Sequence, residues 1–180
     1  MIFRPTPISG AFVVELDPRV DDRGSFARAF CLREFQAAGI EFSVAQCNLA
    51  QTKHAGTVRG LHFVPPNKEQ KLVRCISGAV LDVIIDVRPG SPTLHRVFQV
   101  ELNPQNRLAL FVPGGVAHGY QALISQTEFL YMTDEFYVPG SERGVRYDDP
   151  ALGIDWPLPP AHVAPRDKEW PLLLTQTVLP

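Results

Sequence analysis

Apolar residues along the chain occur in short runs of β-strand length, separated by turn sequences such as DDRG, RPGSP and NPQN. One segment, CLREFQAAGI at 31–40, has helical composition and ends at Gly39, a residue suited to a helix C-terminus. Strands and helices do not alternate, so a parallel sheet is not expected. The pattern predicts an all-β, antiparallel sandwich or jelly-roll barrel with a few short helices. The predicted strands are 11–16, 25–30, 58–64, 71–76, 79–87, 95–102, 108–112, 118–124 and 128–133.

The C-terminal part of the chain differs in composition from the strand-rich part. From about residue 139 the sequence is rich in proline and irregular, yet it contains Trp156 and Trp170. Large aromatic side chains of this kind are usually packed. We therefore predict an ordered tail that packs on the barrel, and one domain spanning residues 1–180, a length that can bury a substantial core.

Charge and cysteine content exclude several classes of function. The net charge is −2 and the sequence pI ≈ 6.2, which gives no electrostatic reason to bind nucleic acid or anionic lipid. No apolar run approaches the ~18 residues of a membrane span, and the start MIFRPTPISG does not resemble a secretion signal. Cys31, Cys47 and Cys75 are odd in number and lack CxxC spacing. We expect a cytoplasmic protein with no nucleic-acid or membrane partner.

The predicted strand 58–64 carries an arginine and a histidine within its apolar sequence. Strict alternation would place Arg59 and His62 on opposite faces of the sheet. A bulge at Gly60 would bring both onto one face, because glycine tolerates the additional twist. Without a bulge, Arg59 would lie on the rim and His62 would be a hydrogen-bonded core residue. The strand alone leaves both interpretations open.

A second motif, PGGVAHGY at 113–120, matches the PxGxxH half of the two-part cupin signature. The other half, G-x5-H-x-H followed by a glutamate, is incomplete. His62 and Glu69 fit it, but Val64 replaces the second histidine. His62, Glu69 and His118 could still hold a non-haem iron, because two histidines and one carboxylate suffice. Tyr131 and Asp167 carry no signal by themselves, since a strand tyrosine usually packs and a tail aspartate is usually solvated.

Seven blocks, taken together, resemble the dTDP-4-dehydrorhamnose 3,5-epimerase family over about residues 3–174. They are DDRGSF (21–26), QCNLA (46–50), TVRGLHF (57–63), KLVRCISGAVLDVIIDVRPGSPT (71–93), PGGVAHGY (113–120), LYMTDEFYVP (130–139) and DDPALGIDWPL (148–158). The resemblance implies a cupin-like jelly roll without metal or other cofactor. It implies epimerisation at C3 and/or C5 of a nucleotide-diphospho-4-keto-6-deoxyhexose, of the type that turns dTDP-4-dehydro-6-deoxyglucose into dTDP-4-dehydrorhamnose. It also implies a homodimer in which N-terminal strands pair across subunits.

By the same resemblance, His62 is the catalytic base and Asp167 hydrogen-bonds its far ring nitrogen. Lys71 lies near the developing oxyanion, and Tyr131 is the acid on the opposite face of the sugar. Arg23 and Arg59 match the pair that binds the diphosphate. Further residues implied to contact the substrate are Phe26, Gln46, Asn48, His118, Tyr137 and Glu142. Asp82, an ionisable group in an apolar strand, is expected to pair with His118 or Lys71.

Other hypotheses stay open beside the epimerase. A metal-dependent cupin enzyme would use His62, Glu69 and His118, and a sugar-nucleotide-binding barrel would lack catalysis altogether. A third alternative is a relative that inverts one carbon of a different nucleotide sugar. It is motivated by Arg28, which replaces a common acidic residue, and by Val64 and Met132, which replace polar residues.

Overall fold

The computed structural model describes residues 1–173; residues 174–180 of the predicted domain and tail lie outside the described part. The strands are β1 (Ile2–Pro5), β2 (Phe12–Glu15), β3 (Arg19–Asp21), β4 (Gly24–Phe26), β5 (Gln46–Thr52), β6 (Val58–Phe63), β7 (Lys71–Ser77), β8 (Val80–Asp86), β9 (Val97–Leu102), β10 (Ala109–Val112), β11 (Val116–Ala122), β12 (Thr127–Thr133) and β13 (Arg143–Gly144). The helices are α1 (Leu32–Ala37) and α2 (Pro165–Glu169), with a 3-10 turn at Pro150–Leu152. None of the helices in this part is long and apolar enough to cross a membrane.

Two antiparallel sheets form the body of the molecule. The six-stranded sheet has the order β1-β2-β10-β7-β12-β5, and the five-stranded sheet has the order β13-β6-β11-β8-β9. Strands that are neighbours in a sheet are mostly distant in sequence, as in jelly rolls. A separate hairpin consists of β3 and β4. The predicted all-β jelly roll is confirmed, with two facing sheets and few helices.

The core lies between the inner faces of the two sheets. Val73, Leu110 and Phe129 of the six-stranded sheet pack in one cluster with Val80 and Ile84 of the five-stranded sheet. Because alternate residues of a strand face opposite sides, Leu81 and Val83 of β8 point to the outer face. Burying these apolar side chains contributes about 25 cal/mol for each Å² removed from water.

The C-terminal tail covers the outer face of the five-stranded sheet. Val83 and Ile85 of β8 pack there in a cluster that includes Val145, Leu152 and the partly buried Trp156. This cover explains why β8 reads as a continuous apolar run, since both of its faces are buried. The predicted packing of the tail on the sheets is therefore confirmed for the residues that the structure describes.

Helix α1 covers part of the outer face of the six-stranded sheet. Its Phe35 is fully buried and packs with Phe42, Leu72 and Phe111. The helix lies within the predicted segment 31–40. The rest of this face is left uncovered by the described residues and has apolar side chains on its surface, such as Leu49, which is 59% exposed.

The observed strands differ from the predicted ones at several places, and side-chain polarity explains the difference at β5. Strands β1, β3, β5 and β13 were not predicted, and the predicted strand 25–30 is reduced to Gly24–Phe26. In β5 the inward positions Gln46 and Asn48 are polar and line a cavity. A strand that faces a polar cavity lacks the inward apolar residues on which a periodicity argument depends.

A buried carboxylate fixes the turn that follows β8. Asp86 has no exposed surface and accepts hydrogen bonds from Arg88, Ser91 and Thr93. Burial by itself would favour the protonated form, but these hydrogen bonds outweigh it and hold the pKa of Asp86 well below its usual range. Asp86 is therefore ionised in the fold and organises the turn RPGSPT.

Substituting Asp86 by asparagine removes this charge while keeping the side-chain shape. We expect Asp86→Asn to lower the free energy of unfolding by about 3 kcal/mol at neutral pH, because Arg88 loses its buried partner. Since the folded pKa is lowered, the difference from wild type is fully present above the unfolded pKa of about 3.9 and declines as pH falls further.

Urea denaturation across pH measures this effect. Asp148→Asn serves as the control, because Asp148 pairs with Arg146 at the surface, where it is 42% exposed. The control is expected to cost less than about 1 kcal/mol. Equal losses in the two variants would contradict the assigned role of Asp86.

Candidate active site

A cavity of ≈ 960 Å³ opens between the two sheets and is bordered by the tail. Its walls come from β5, β7 and β12 of one sheet, from β6 and β11 of the other, and from residues 161–168. The lining contains several cationic and imidazole groups together with three carboxylates, so it is unlike an apolar core. A cavity of this size can hold a nucleotide-sized ligand.

A bulge in β6 places Arg59 and His62 in the same cavity. Arg59 pairs with Tyr120 and His62 pairs with His118, so three steps along β6 oppose two steps along β11. Gly60 lies within this irregularity with φ +109°. A Cβ at this position would lie 2.7 Å from both the Gly119 Cα and the His118 carbonyl oxygen. The conditional prediction of a bulge at Gly60 is confirmed.

The tail supplies a carboxylate to the imidazole of β6. Nε2 of His62 lies 2.6 Å from Oδ1 of Asp167, and the Gly60 N–H donates to Oδ2 at 3.1 Å. Burial opposes ionisation of Asp167, but the hydrogen bonds from His62, Gly60 and Trp170 outweigh it and lower its pKa. An ionised Asp167 accepts the proton on Nε2, which leaves Nδ1 of His62 with a free lone pair.

A second imidazole–carboxylate pair lies at the bottom of the same cavity. Nε2 of His118 is 3.0 Å from each carboxylate oxygen of Asp82, which is completely buried. Burial raises the pKa of Asp82, and the opposing influence of His118 exceeds that of Lys71. The expected partner of Asp82 is therefore His118, whose ring also stacks on Phe129 at 6.2 Å.

Lys71 and Tyr131 enter the cavity from the six-stranded sheet. Nζ of Lys71 forms an ion pair with Oε2 of Glu69 at 3.0 Å, without the geometry of a hydrogen bond. Burial raises the pKa of Tyr131, as do the charges of Glu69 and Glu142, whereas Arg59 opposes the shift. Tyr131 is therefore protonated at neutral pH and can donate a proton.

Most residues that the sequence nominated line this cavity, but two of them do not. Arg23 and Phe26 lie on the exposed β3–β4 hairpin, where Arg23 pairs with Asp21 and Phe26 is 75% exposed. The nominated residues that do line it are Gln46, Asn48, Arg59, His62, Lys71, His118, Tyr131, Tyr137, Glu142 and Asp167.

Three unusual residues, which motivated the hypothesis of a different nucleotide sugar, lie outside the cavity lining. Arg28 forms an ion pair with Glu34 of α1 at 2.8 Å. Met132 packs against the cluster around Phe35 on the outer face of the sheet. Val64 bridges to Lys68 beyond the end of β6. None of the three lines the cavity of this chain, so they do not alter its polarity.

Sequence reasoning missed Arg166 and Trp170, which flank the pair formed by His62 and Asp167 (the dyad). Arg166 forms an ion pair with Glu142 at 2.9 Å, and its Nη2 lies 3.5 Å from Nε2 of His62. Trp170 donates from Nε1 to Asp167 at 3.4 Å. Their only signal in the sequence was proximity to Asp167 in the tail.

The metal-dependent hypothesis requires His62, Glu69 and His118 to converge. Within residues 1–173, no group of three histidine, cysteine, aspartate or glutamate side chains is placed to hold a metal ion. Instead, the Nε2 atoms of His62 and His118 each face an aspartate. The geometry of the donor set does not fit the proposed ligand triad.

Comparison with known proteins decides the family. A family model described as dTDP-4-dehydrorhamnose 3,5-epimerase matches residues 5–175. The chain belongs to this family. A relative of that name from Methanothermobacter thermautotrophicus is 36% identical over 171 residues, 93% of this chain and 92% of the relative. A relative from Streptomyces niveus, a dTDP-4-dehydrorhamnose 3-epimerase, is 37% identical over 175 residues, 96% of this chain and 84% of the relative.

A solved structure of another epimerase agrees with the fold. The dTDP-6-deoxy-D-glucose-3,5-epimerase of Legionella pneumophila, in complex with dTDP-4-keto-L-rhamnose, superposes with a TM-score of 0.89 at 33% sequence identity. The match covers 97% of this chain and 93% of that chain. The likeness to this family therefore holds for the arrangement of the sheets as well as for the sequence.

Gly60→Ala tests whether the bulge requires a residue without a side chain. The added Cβ would meet the backbone of β11, so we expect a loss of at least about 3 kcal/mol in the free energy of unfolding. Gly140→Ala is the control, because Gly140 also has positive φ (+80°) but open space around a Cβ. That variant is expected to cost about 1 kcal/mol. Thermal denaturation of both variants makes the comparison, and similar costs would rule out the close approach of β6 and β11 as the reason for Gly60.

Proposed function

We propose that the protein epimerises a nucleotide-diphospho-4-keto-6-deoxyhexose at C3 and C5, of the type that converts dTDP-4-dehydro-6-deoxyglucose to dTDP-4-dehydrorhamnose. One observation carries the proposal: an imidazole and a phenol approach the same cavity from facing sheets. His62 lies on β6 and Tyr131 on β12. A sugar ring held between the sheets would present one face to each group.

The chemistry of the substrate requires this arrangement. C3 and C5 flank the C4 ketone, so removal of either proton gives an enolate that can be reprotonated from the opposite face. Nδ1 of His62, oriented by Asp167, takes the proton, and Tyr131 returns one from the other side. The ammonium group of Lys71 stabilises the negative charge that develops on the ketone oxygen. Each C–H bond broken is replaced by one formed at the same carbon, so no oxidant, reductant or cofactor is needed.

The diphosphate group of the substrate is negatively charged, so its binding requires positive charge near the cavity mouth. Arg59 lines the cavity and can offer a guanidinium group to the diphosphate. The Legionella pneumophila relative, which binds dTDP-4-keto-L-rhamnose, supports a dTDP-linked sugar as the ligand class. The 3-epimerase from Streptomyces niveus favours a second candidate, inversion at C3 alone.

We also propose that the active form is a homodimer in which the β3–β4 hairpin of one subunit reaches the cavity of the other. The uncovered outer face of the six-stranded sheet exposes Leu49 and Ile76. The hairpin lies beside this face, since Arg107 donates to Ser25 at 2.9 Å. A second copy seated on the uncovered face would bury these residues and receive the hairpin.

This assembly would give Arg23 and Phe26 the substrate contacts that they lack within a single chain. Strand β5 is the edge of the six-stranded sheet, and its inward residues Gln46 and Asn48 line the cavity. A hairpin crossing that edge would place an arginine and an aromatic ring at the nucleotide end. We further propose that residues 1–180 act as one cytoplasmic domain, which the free thiols of Cys31, Cys47 and Cys75 support.

Solvent exchange tests the reaction directly. In deuterated water, dTDP-4-keto-6-deoxyglucose is expected to gain deuterium at both C3 and C5, followed by NMR. Deuterium at C3 alone would favour the monoepimerase, and binding without exchange would favour the non-catalytic barrel.

The variant Tyr131→Phe distinguishes the proposed acid from the proposed base. We expect solvent exchange to persist in this variant while the amount of inverted product falls by about 10²-fold, because the proton is then returned from the same face, by His62.

Tyr147→Phe is the matched control for this substitution. Its ring lies outside the residues that line the cavity, and we expect exchange and inversion at the rates of the wild type. Loss of exchange in Tyr131→Phe would make Tyr131, and not His62, the group that removes the proton.

Subunit mixing tests the homodimer and the role of its hairpin. Arg23→Glu and His62→Ala should each be nearly inactive alone. If the hairpin acts in trans, a mixed dimer has one complete site, so random mixing should restore about one quarter of the sites. Steady-state assays after co-refolding measure the recovery, and sedimentation velocity reports the dimer. No recovery, with dimers present, would place Arg23 outside the partner's site.

A further inference from the structure

Trp170 packs against the imidazole–carboxylate pair of His62 and Asp167. Its indole Nε1 donates to Oδ1 of Asp167 at 3.4 Å, and the same oxygen lies 2.6 Å from Nε2 of His62. The indole ring meets the His62 ring edge-on, with centroids 6.2 Å apart and planes inclined by 70°. Trp170 is not among the residues that line the cavity, so it contacts both members of the pair from the side away from the substrate.

Gly144 provides the surface on which the indole rests. It pairs with His62 in the β13–β6 ladder, so it is the direct cross-strand neighbour of the imidazole. A Cβ at Gly144 would lie 2.4 Å from Nε1, 2.5 Å from Cε2 and 2.6 Å from Cδ1 of Trp170. Any side chain at this position would displace the indole, because three of its ring atoms occupy the space.

Helix α2, which carries Asp167, is short and has little stabilisation of its own. The helix has only five residues and no side-chain hydrogen bond at its N-cap, Ala164. Arg166 adds a competing interaction, since its Nε lies 3.7 Å from Oδ1 of Asp167. Its guanidinium carbon lies 5.9 Å from the centroid of the Trp170 ring, which holds the cation to one side of the carboxylate.

We propose that Trp170, seated on Gly144, is a positioning residue that fixes the Asp167 carboxylate against His62 and so sets the rate of proton abstraction. The inference rests on the proposed function, because it assigns His62 the role of base. Trp170 orients the carboxylate through its N–H and limits rotation of the imidazole through its ring. A displacement of about 1 Å between reacting groups can lower turnover by about 10²-fold.

Gly144→Ala is the first test, since the three atoms nearest to its methyl group all belong to Trp170 and Gly144 does not itself line the cavity. We expect kcat to fall by about 10²-fold while KM changes less than about threefold. Trp170→Ala should lower kcat by a similar factor. The double variant should be no worse than Trp170→Ala, because the methyl group then has nothing to displace. Trp170→Phe, which retains a ring without the N–H, should lie between wild type and Trp170→Ala.

Trp156→Ala is the matched control for loss of tail packing. Trp156 packs in the cluster on the outer face of the five-stranded sheet, away from the dyad. The substitution Trp156→Ala should lower the melting temperature, while kcat at a permissive temperature stays within about twofold of wild type. Multiplicative effects of Gly144→Ala and Trp170→Ala, or an equal kcat loss in Trp156→Ala, would overturn the role of Trp170.

A readout without substrate separates this inference from the proposed function. The hydrogen-bonded Nε2 proton of His62 should give a downfield proton resonance in the wild type, and Gly144→Ala should abolish or shift it. If the resonance changes in both Gly144→Ala and Trp170→Ala but the wild type has no epimerase activity, the proposed function fails while the role of Trp170 in orienting the Asp167–His62 pair stands. If the resonance is unchanged in both Gly144→Ala and Trp170→Ala, the positioning role is wrong.

Discussion

The contact between the Asp167 carboxylate and the His62 imidazole is the interaction on which the site depends. It joins residues separated by 105 positions in the chain, at an Nε2–Oδ1 distance of 2.6 Å. The contact requires a bulge at Gly60 to turn the imidazole into the cavity and a tail that crosses the sheet to deliver the carboxylate. The hydrogen bonds that keep Asp167 ionised against its burial also determine which imidazole nitrogen is available to the substrate.

The jelly roll places His62 and Tyr131 on different sheets, and this division suits the proposed inversion of configuration. In the proposed reaction, the two side chains would act on a bound sugar ring from opposite sides. Lining the inner faces with polar residues removes apolar contacts from the core. The outer clusters under α1 and under the tail supply buried apolar surface in their place.

The sequence predicted the sheets well where one face of a strand is apolar, as in β8 and β12. It failed at β5, whose inward Gln46 and Asn48 line the cavity. Periodicity raised the question of how Arg59 and His62 could converge, but only the register of β6 and β11 answered it. Resemblance nominated Arg23 and Phe26, yet a single chain leaves them on an exposed hairpin. The contacts of Arg166 and Trp170 depend on where the tail crosses the sheet, which no local pattern encodes.

The route of the tail has a consequence for biosynthesis. Within residues 1–173, every strand of both sheets precedes α2, so all of these strands are synthesised before Asp167 is added to the nascent chain. A nascent chain at that stage has the imidazole without its carboxylate partner. A chain truncated before residue 167 would therefore contain every one of these strands and yet lack the carboxylate that contacts His62.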